Sequence, residues 1–223
     1  MRLIKVFFWG LMVSFLGSLP LGTLNVAAMQ ISVQKSIRNA VFFSLGSLSV
    51  EMVYVRISLV GINWIRKQKK LFKWMEWIAL AIVVALAIGS FIAAGRPQHA
   101  KNVMLDNNIN RYFLGAMLSA INPVQIPFWF GWSTVLFTKN ILLPKNSFYN
   151  IYIIGIGLGT LIGNCVFIFG GKWIVQKLNG NQSLMNWIIG GIFAVTAIIF
   201  FIKILMNKDA AKKLDDMGEQ SET

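Results

Sequence analysis

The sequence predicts an all-α integral membrane protein with six transmembrane helices, arranged as two inverted repeats of three. Hydrophobic residues make up 56% of the 223-residue chain and charged residues only 13%, and the mean hydropathy is +0.64. A water-soluble domain of this size could not cover so apolar a composition. The apolar residues fall into six stretches of about 20 residues or more, the length that spans a bilayer. Proline breaks the first stretch of each set of three.

The six predicted spans follow one another with short connections. They cover residues 3–29, 39–65, 74–94, 112–137, 147–169 and 185–206. In groups of three they form a first repeat at 1–94 and a second at 112–206. A polar linker at 95–111 joins the repeats, and a polar tail at 207–223 follows them. Because each repeat holds an odd number of spans, the second enters the bilayer in the opposite orientation to the first.

Proline interrupts spans one and four at comparable places. Pro20 lies just before Gly22, and Pro123 follows Asn122 directly. Proline lacks an N–H group and clashes with the preceding turn, so backbone carbonyl groups near it lose their helical hydrogen bonds. Within a membrane, such irregular backbone is stable only where it contacts protein or a water-filled cavity. Half-helix N-termini at such breaks favour a carboxylate. We therefore predict a substrate site at the two breaks, formed by Pro20, Gly22, Asn25, Ser119, Asn122, Pro123 and Gln125.

Glu51, near the middle of the second span, is the only carboxylate that the sequence places deep in the membrane. A charged side chain there costs about 2.5–3.5 kcal/mol on insertion scales, so it normally faces a cavity or a partner. Four polar residues share its helix face at spacings of three and four, namely Ser44, Ser47, Tyr54 and Ser58. We interpret this face as the wall of a hydrated pathway, with Ser47 and Tyr54 near the substrate and Glu51 as the protonation site for coupling.

Arg56 is the second charged residue of this span. It lies five residues after Glu51, about 140° around the helix, and is poorly placed to pair with it there. We predict that Arg56 is a counter-charge or a ligand for a substrate carboxylate. The alternative is that Glu51 and Arg56 only hold the bundle together through polar groups of neighbouring helices.

The net charge of +13 would indicate a nucleic-acid partner in a soluble protein. Here the basic residues lie mostly between spans: thirteen on the side that carries both termini and seven on the opposite side. The positive-inside rule therefore predicts cytoplasmic termini, as for a protein of the bacterial inner membrane. The expected partners are a small-molecule substrate and membrane lipids, with no nucleic acid. Oligomeric state stays open, a homodimer included.

Three segments carry a family resemblance that extends over essentially the whole chain. They are Pro20 to Thr23 in span one, Gly46 to Glu51 in span two, and Gly115 to Pro123 in span four. They resemble, in that order, the Pro-Gly-Pro-like turn, the Gly-x-x-x-Gly-Asp pattern and the Gly-x-x-x-x-x-x-Asn-Pro pattern of LysE/RhtB-type amino-acid exporters. The resemblance implies six spans in two inverted repeats. It also implies export of amino acids or similar small metabolites, driven by the proton gradient and without a cofactor or enzymatic activity.

Four positions depart from the family's patterns. Thr23 stands where a second proline is usual, Val50 replaces a glycine, and Val124 follows Asn-Pro where a lysine is common. Glu51 replaces the family's Asp and keeps the acid. These departures leave the identity of the cargo open.

Three other functions stay open at this point. A divalent-metal exporter of the same superfamily would need several hard ligands around the ion, but the sequence offers one deep carboxylate and no intramembrane histidine. A membrane-embedded lipid-phosphate hydrolase would use Glu51 as base and Arg56 as phosphate ligand, and it lacks a second acid or a histidine. In a non-transporting scaffold, the polar stripe would bind a partner helix.

Overall fold

The computed structural model describes residues 2–19, 22–60, 69–95, 109–122, 124–177 and 181–206, and all regular structure within these ranges is helical. The helices, in chain order, are α1 Arg2–Ser18, α2 Thr23–Gln34, α3 Ile37–Val60, α4 Lys69–Ala94, α5 Arg111–Ala120, α6 Gln125–Thr138, α7 Asn146–Lys177 and α8 Gln182–Leu205. Pro20, Pro123, most of the linker at 95–111 and the tail at 207–223 lie outside the described residues.

Four helical segments are long and apolar enough to cross a membrane on their own. They are Ile37–Val60, Glu76–Ala94, Asn146–Ile174 and Ser183–Leu205. Two further spans are bent pairs: α1 meets α2 at 72°, and α5 meets α6 at 70°. The described residues thus hold four spans, or six when each bent pair counts as one. The all-helical membrane fold is confirmed in this form, while the inverted repeat stays a prediction.

The predicted fifth span is too short. Residues 147–169 belong to the longer helix α7, which continues to Lys177. Hydropathy marks where a helix leaves lipid, whereas the helix itself continues until its backbone hydrogen bonds stop. Lys172 and Lys177 follow the apolar stretch in the same helix. The sequence therefore becomes more polar before the helix ends.

Glycines bring α7 close to α1. A Cβ atom added at Gly155 would collide with the carbonyl oxygen of Phe7, and one at Gly159 with that of Leu11. One at Gly163 would collide with the hydroxyl of Ser18. The three glycines, spaced four apart, thus allow the two helices to approach closely.

Two more glycines set the distance between α3 and α5. A Cβ atom at Gly46 would collide with the carbonyl oxygen of Tyr112, and one at Gly115 with the carbonyl oxygen of Phe43. Each glycine thus lies against the backbone of the other helix. Gly46 is five residues before Glu51, and Gly115 is seven before Asn122, so this crossing positions both polar regions.

Apolar side chains are buried in two clusters. One contains Phe43 of α3 and Ile168 of α7, together with residues of α2, α4, α5 and α8. The other contains Val55 of α3 and Ile156 of α7, together with residues of α1 and α6. Along both α3 and α7, the stretch between the two clusters carries polar residues. That stretch is where the candidate site lies.

Candidate functional site

A cavity of about 290 Å³ lies between the two apolar clusters. Both helix breaks and the middle parts of α3, α7 and α8 form its walls, which carry hydroxyl, amide and carboxyl groups together with three aromatic rings. At about 30 Å³ per water molecule in the liquid, the cavity has room for about ten waters. A molecule of about ten non-hydrogen atoms would therefore fill it.

Glu51 lines this cavity from the middle of α3. The hydroxyl of Thr160 and the indole N–H of Trp129 lie within hydrogen-bonding reach of its carboxyl group. Thr160 also shares a hydrogen bond with Ser14 of α1. Within the described part of the chain, no basic side chain lines the cavity. The carboxyl group is therefore held by neutral donors and stays available to a proton or to a cationic group of a ligand.

A chain of hydrogen bonds orients the amide of Gln125. Its Nε2 donates to Ser119 Oγ at 3.0 Å, and Ser119 Oγ donates to the carbonyl oxygen of Ser47 at 3.0 Å. Because the one proton of the Ser119 hydroxyl goes to Ser47, Ser119 can only accept from Gln125. Gln125 Oε1 is then left buried, without a partner among the described residues. The site thus has an unused acceptor in addition to Glu51.

Both helix breaks place a helix N-terminus at the cavity. Helix α2 begins after Gly22 and helix α6 after Val124, and within the described residues neither start has a side-chain cap. Gly22, Asn25, Val124 and Gln125 all line the cavity. Uncapped N–H groups and the positive end of a helix dipole attract an anion. The cavity therefore combines an acidic region with regions that suit a carboxylate.

Polar side chains also satisfy backbone groups at the two breaks. Asn25 Nδ2 donates to the carbonyl oxygen of Ser18, the last residue of α1. At the second break, Asn122 Oδ1 accepts from Val124 N at 3.3 Å, and the Tyr54 hydroxyl donates to the carbonyl oxygen of Ala120. Each break is thus held by side chains, which keeps irregular backbone stable at this depth.

The LysE type translocator family model matches residues 15–204, a range that contains both breaks and Glu51. The chain belongs to the LysE type translocator family. Neither a curated protein nor a solved structure matches it. Members of the family are transporters and not enzymes. Together with the apolar helices, the match identifies a multi-pass membrane protein and confirms the family resemblance of the sequence.

In this LysE type translocator, the residues predicted for the site fall into three groups. The cavity is lined by Gly22, Asn25, Ser47, Glu51, Asn122 and Gln125. Three others, Tyr54, Arg56 and Ser119, do not line it. Pro20 and Pro123 lie outside the described residues.

Arg56 is directed away from the cavity. Its guanidinium donates to Asn146 Oδ1 at 2.9 Å and to Asn150 Oδ1 at 3.4 Å, and it lies 5.2 Å from the centre of the Tyr149 ring. These contacts tie the end of α3 to the start of α7. Because Arg56 lies about 140° around the helix from Glu51, the two side chains face different neighbouring residues. The structure thus does not bring Arg56 to the site, where the sequence predicted a counter-charge or a carboxylate ligand.

Of the predicted hydrated wall, Ser47 and Glu51 line the cavity. Further along the same face of α3, the Tyr54 hydroxyl donates to the carbonyl oxygen of Ala120, and Ser58 Oγ donates to the carbonyl oxygen of Ile126 at 3.3 Å. Both acceptors flank the break between α5 and α6. Hydration of the whole face stays a prediction.

Sequence reasoning missed the side of the cavity formed by α1 and α7. Ser14, Ser18, Thr160 and Asn164 line it, and Asn164 is only 4% exposed. Each helix contributes two polar residues spaced four apart within an otherwise apolar span. That spacing is a sequence signal for one polar helix face.

Proposed function

We propose that this translocator exports amino acids or similarly small metabolites in exchange for protons, by alternating access. The observation that carries the proposal is the mid-membrane cavity, which combines one carboxyl group, one unused amide acceptor and two uncapped helix N-termini. An amino acid carries the complementary groups, an ammonium and a carboxylate. The volume of about 290 Å³ suits a molecule of that size.

The cargo's ammonium group would contact Glu51 and Gln125 Oε1. Its carboxylate would accept from the N–H groups at the starts of α2 and α6, with the amides of Asn25 and Asn122 beside them. Paired charges in a water-excluded site bind more strongly than in water. In this arrangement neither charged end of the cargo is buried without a partner, which is the condition for binding a zwitterion inside a membrane.

Competition at Glu51 would couple cargo to protons. An ammonium group and a proton can each neutralise the charge of the Glu51 carboxylate. Only one of them is therefore bound there at a time. On the outside, a proton would displace the cargo, and the protonated carrier would return. On the cytoplasmic side, the next cargo molecule would release that proton. The inward proton gradient would then drive export.

Alternating access would use the two repeats that the sequence predicts. The bends of 72° and 70° in the two broken spans are nearly equal, which supports a shared origin of the two halves. A site between two such halves can open to either side when one half rocks against the other. We place both termini in the cytoplasm of a bacterial inner membrane, from the distribution of Lys and Arg.

No observation favours the metal exporter or the lipid-phosphate hydrolase. Among the described residues, no three His, Cys, Asp or Glu side chains come together as ligands for a metal ion. A lipid-phosphate hydrolase would need Arg56 beside Glu51, and Arg56 contacts Asn146 and Asn150 instead. Metabolite export accounts for the cavity with fewer assumptions.

An export assay tests this proposal. Bacteria that lack their own exporters would express wild type, Glu51→Gln or the control Glu219→Gln, which removes a carboxyl group of the polar tail. The cells are loaded with mixed dipeptides, and released amino acids are quantified by mass spectrometry. We expect selective release by wild type and Glu219→Gln, and its loss in Glu51→Gln at equal expression. Profiles identical to those of an empty vector in all three strains would contradict amino-acid export.

A further inference from the structure

A second and smaller space adjoins the cavity. It measures about 20 Å³ and shares Thr23, Leu24, Asn122 and Phe200 with the cavity. Its other lining residues are all aliphatic and come from α4 and from α5 with the residue after it: Ala79, Ile82, Val83, Leu86, Leu118 and Ile121. Helices α3 and α7, which supply Glu51 and Thr160, contribute nothing to this lining. We call this space the apolar slot.

Three of the residues that line the apolar slot on the α4 side are well buried. Ala79, Val83 and Leu86 are all buried, at 8%, 3% and 2% exposure. Interiors are normally packed as densely as organic crystals, so an empty volume of this size beside a binding cavity is a distinct feature. It holds about one methyl-sized group, and a space with such walls suits an apolar group better than water.

The cavity and the apolar slot together are polar at one end and aliphatic at the other. The polar end contains Glu51, Thr160 and Asn164, and the aliphatic end contains the slot beyond Leu24 and Phe200. An amino acid that directs its charged groups to the polar end has only one place for its side chain. A polar side chain that reached the aliphatic part of the slot would lose its hydrogen bonds to water, and Thr23 and Asn122 offer polar groups only on the side shared with the cavity.

We propose that the apolar slot receives the terminal methyl group of the cargo's side chain, and that the exporter therefore favours an amino acid whose aliphatic side chain is long enough to reach it. This inference rests on the proposed export function. Ala79 has the smallest side chain in the lining and sets the depth of the slot. Leu118 faces the slot from α5 and sets its width. When two ligands differ by one methylene group in an apolar pocket, the preference for one over the other is roughly 10- to 200-fold.

Three variants test the subsite. Ala79→Leu fills the apolar slot, Leu118→Ala widens it, and Ala81→Leu adds the same side chain at an exposed position of α4 as a matched control. Cells loaded with an equimolar mixture of alanine- and leucine-containing dipeptides release both amino acids through the exporter. The readout is the ratio of released leucine to released alanine, corrected for the empty vector.

We expect Ala79→Leu to lower the leucine-to-alanine ratio at least tenfold while alanine release continues, and Ala81→Leu to leave the ratio unchanged. Leu118→Ala should shift release towards larger aliphatic side chains, which keeps the test decisive if Ala79→Leu fails to fold. An unchanged ratio in both slot variants, with export intact, would overturn the subsite and leave the export function standing. Absence of any amino-acid release by wild type would overturn both proposals.

Discussion

At Glu51, neutral donors and not a cation hold a carboxyl group in the middle of a membrane-crossing helix. The donors come from two other helices: Thr160 from α7 and Trp129 from α6. A charged group at this depth costs about 2.5–3.5 kcal/mol on insertion scales. Two hydrogen bonds from neutral groups offset only part of that cost. In the proposed mechanism, a proton or the cargo supplies the remaining stabilisation.

Replacing Thr160 by Val should slow transport by roughly tenfold or more, because a hydrogen bond to a charged group is worth about 1.5–3 kcal/mol. The measurement is the initial rate of cargo counterflow in liposomes. Thr134→Val is the matched control, because Thr134 does not line the cavity and its hydroxyl donates within its own helix to the carbonyl oxygen of Phe130 at 2.9 Å. An equal loss in both variants would contradict a specific role for Thr160.

Replacing Gln125 by Met should raise the half-saturating cargo concentration about tenfold and change the maximal rate much less. The variant removes the unused acceptor Oε1 but keeps the length of the side chain. Concentration dependence of counterflow separates the two parameters. Half-saturation equal to that of wild type would show that Oε1 does not contact the cargo.

Sequence reasoning recovered only one wall of the site. Glu51 and the residues at the two breaks could be predicted because a lone acid, proline and asparagine are conspicuous in apolar spans. Ser14 and Thr160 could not, because they are 146 positions apart in sequence and only the fold brings their hydroxyl groups together. Arg56 was misplaced for a related reason: a helix gives the direction of a side chain, but not which neighbour lies there.

At the scale of helices, close contacts through glycine set the geometry of the bundle. Gly46 and Gly115 each lie against a carbonyl oxygen of the opposite helix where α3 and α5 cross. The crossing fixes α3, which carries Glu51, relative to the break that starts α6. The apolar helices long enough to cross a membrane were predictable from the length of the apolar stretches. These tertiary contacts were not, because a glycine in a sequence does not reveal its partner helix.

Gly46→Ala and Gly115→Ala should each destabilise the protein by about 1–3 kcal/mol, because the added methyl group collides with backbone atoms that cannot move easily. Gly170→Ala is the control, since a Cβ atom at Gly170 has nothing within 4 Å. The measurement is the thermal unfolding temperature in detergent. Equal unfolding temperatures for all three variants would contradict the close crossing of α3 and α5.

At the scale of the whole molecule, the cavity lies between two apolar clusters of the helix bundle. A transporter needs barriers on both sides of its site, because simultaneous access from both sides would dissipate the gradient. The family match over residues 15–204 covers Glu51 and both helix breaks. The distribution of Lys and Arg predicts an orientation with both termini in the cytoplasm.

Reporter fusions test this orientation. Green fluorescent protein fused after the C-terminus should fluoresce, and alkaline phosphatase fused after Asn110 should be active, because the linker between the repeats lies outside in the predicted topology. The reciprocal fusions serve as controls and should be inactive. An active phosphatase at the C-terminus would reverse the orientation.

The most direct test of the central claim is cargo movement driven by a proton gradient alone. Purified wild type and Glu51→Gln are reconstituted into liposomes, and uptake of the amino acid exported by cells is followed with the interior acidic or at equal pH. We expect the acidic interior to drive transient accumulation above equilibrium with wild type, and no such accumulation with Glu51→Gln. Equal accumulation with both proteins would show that protons are not exchanged at Glu51.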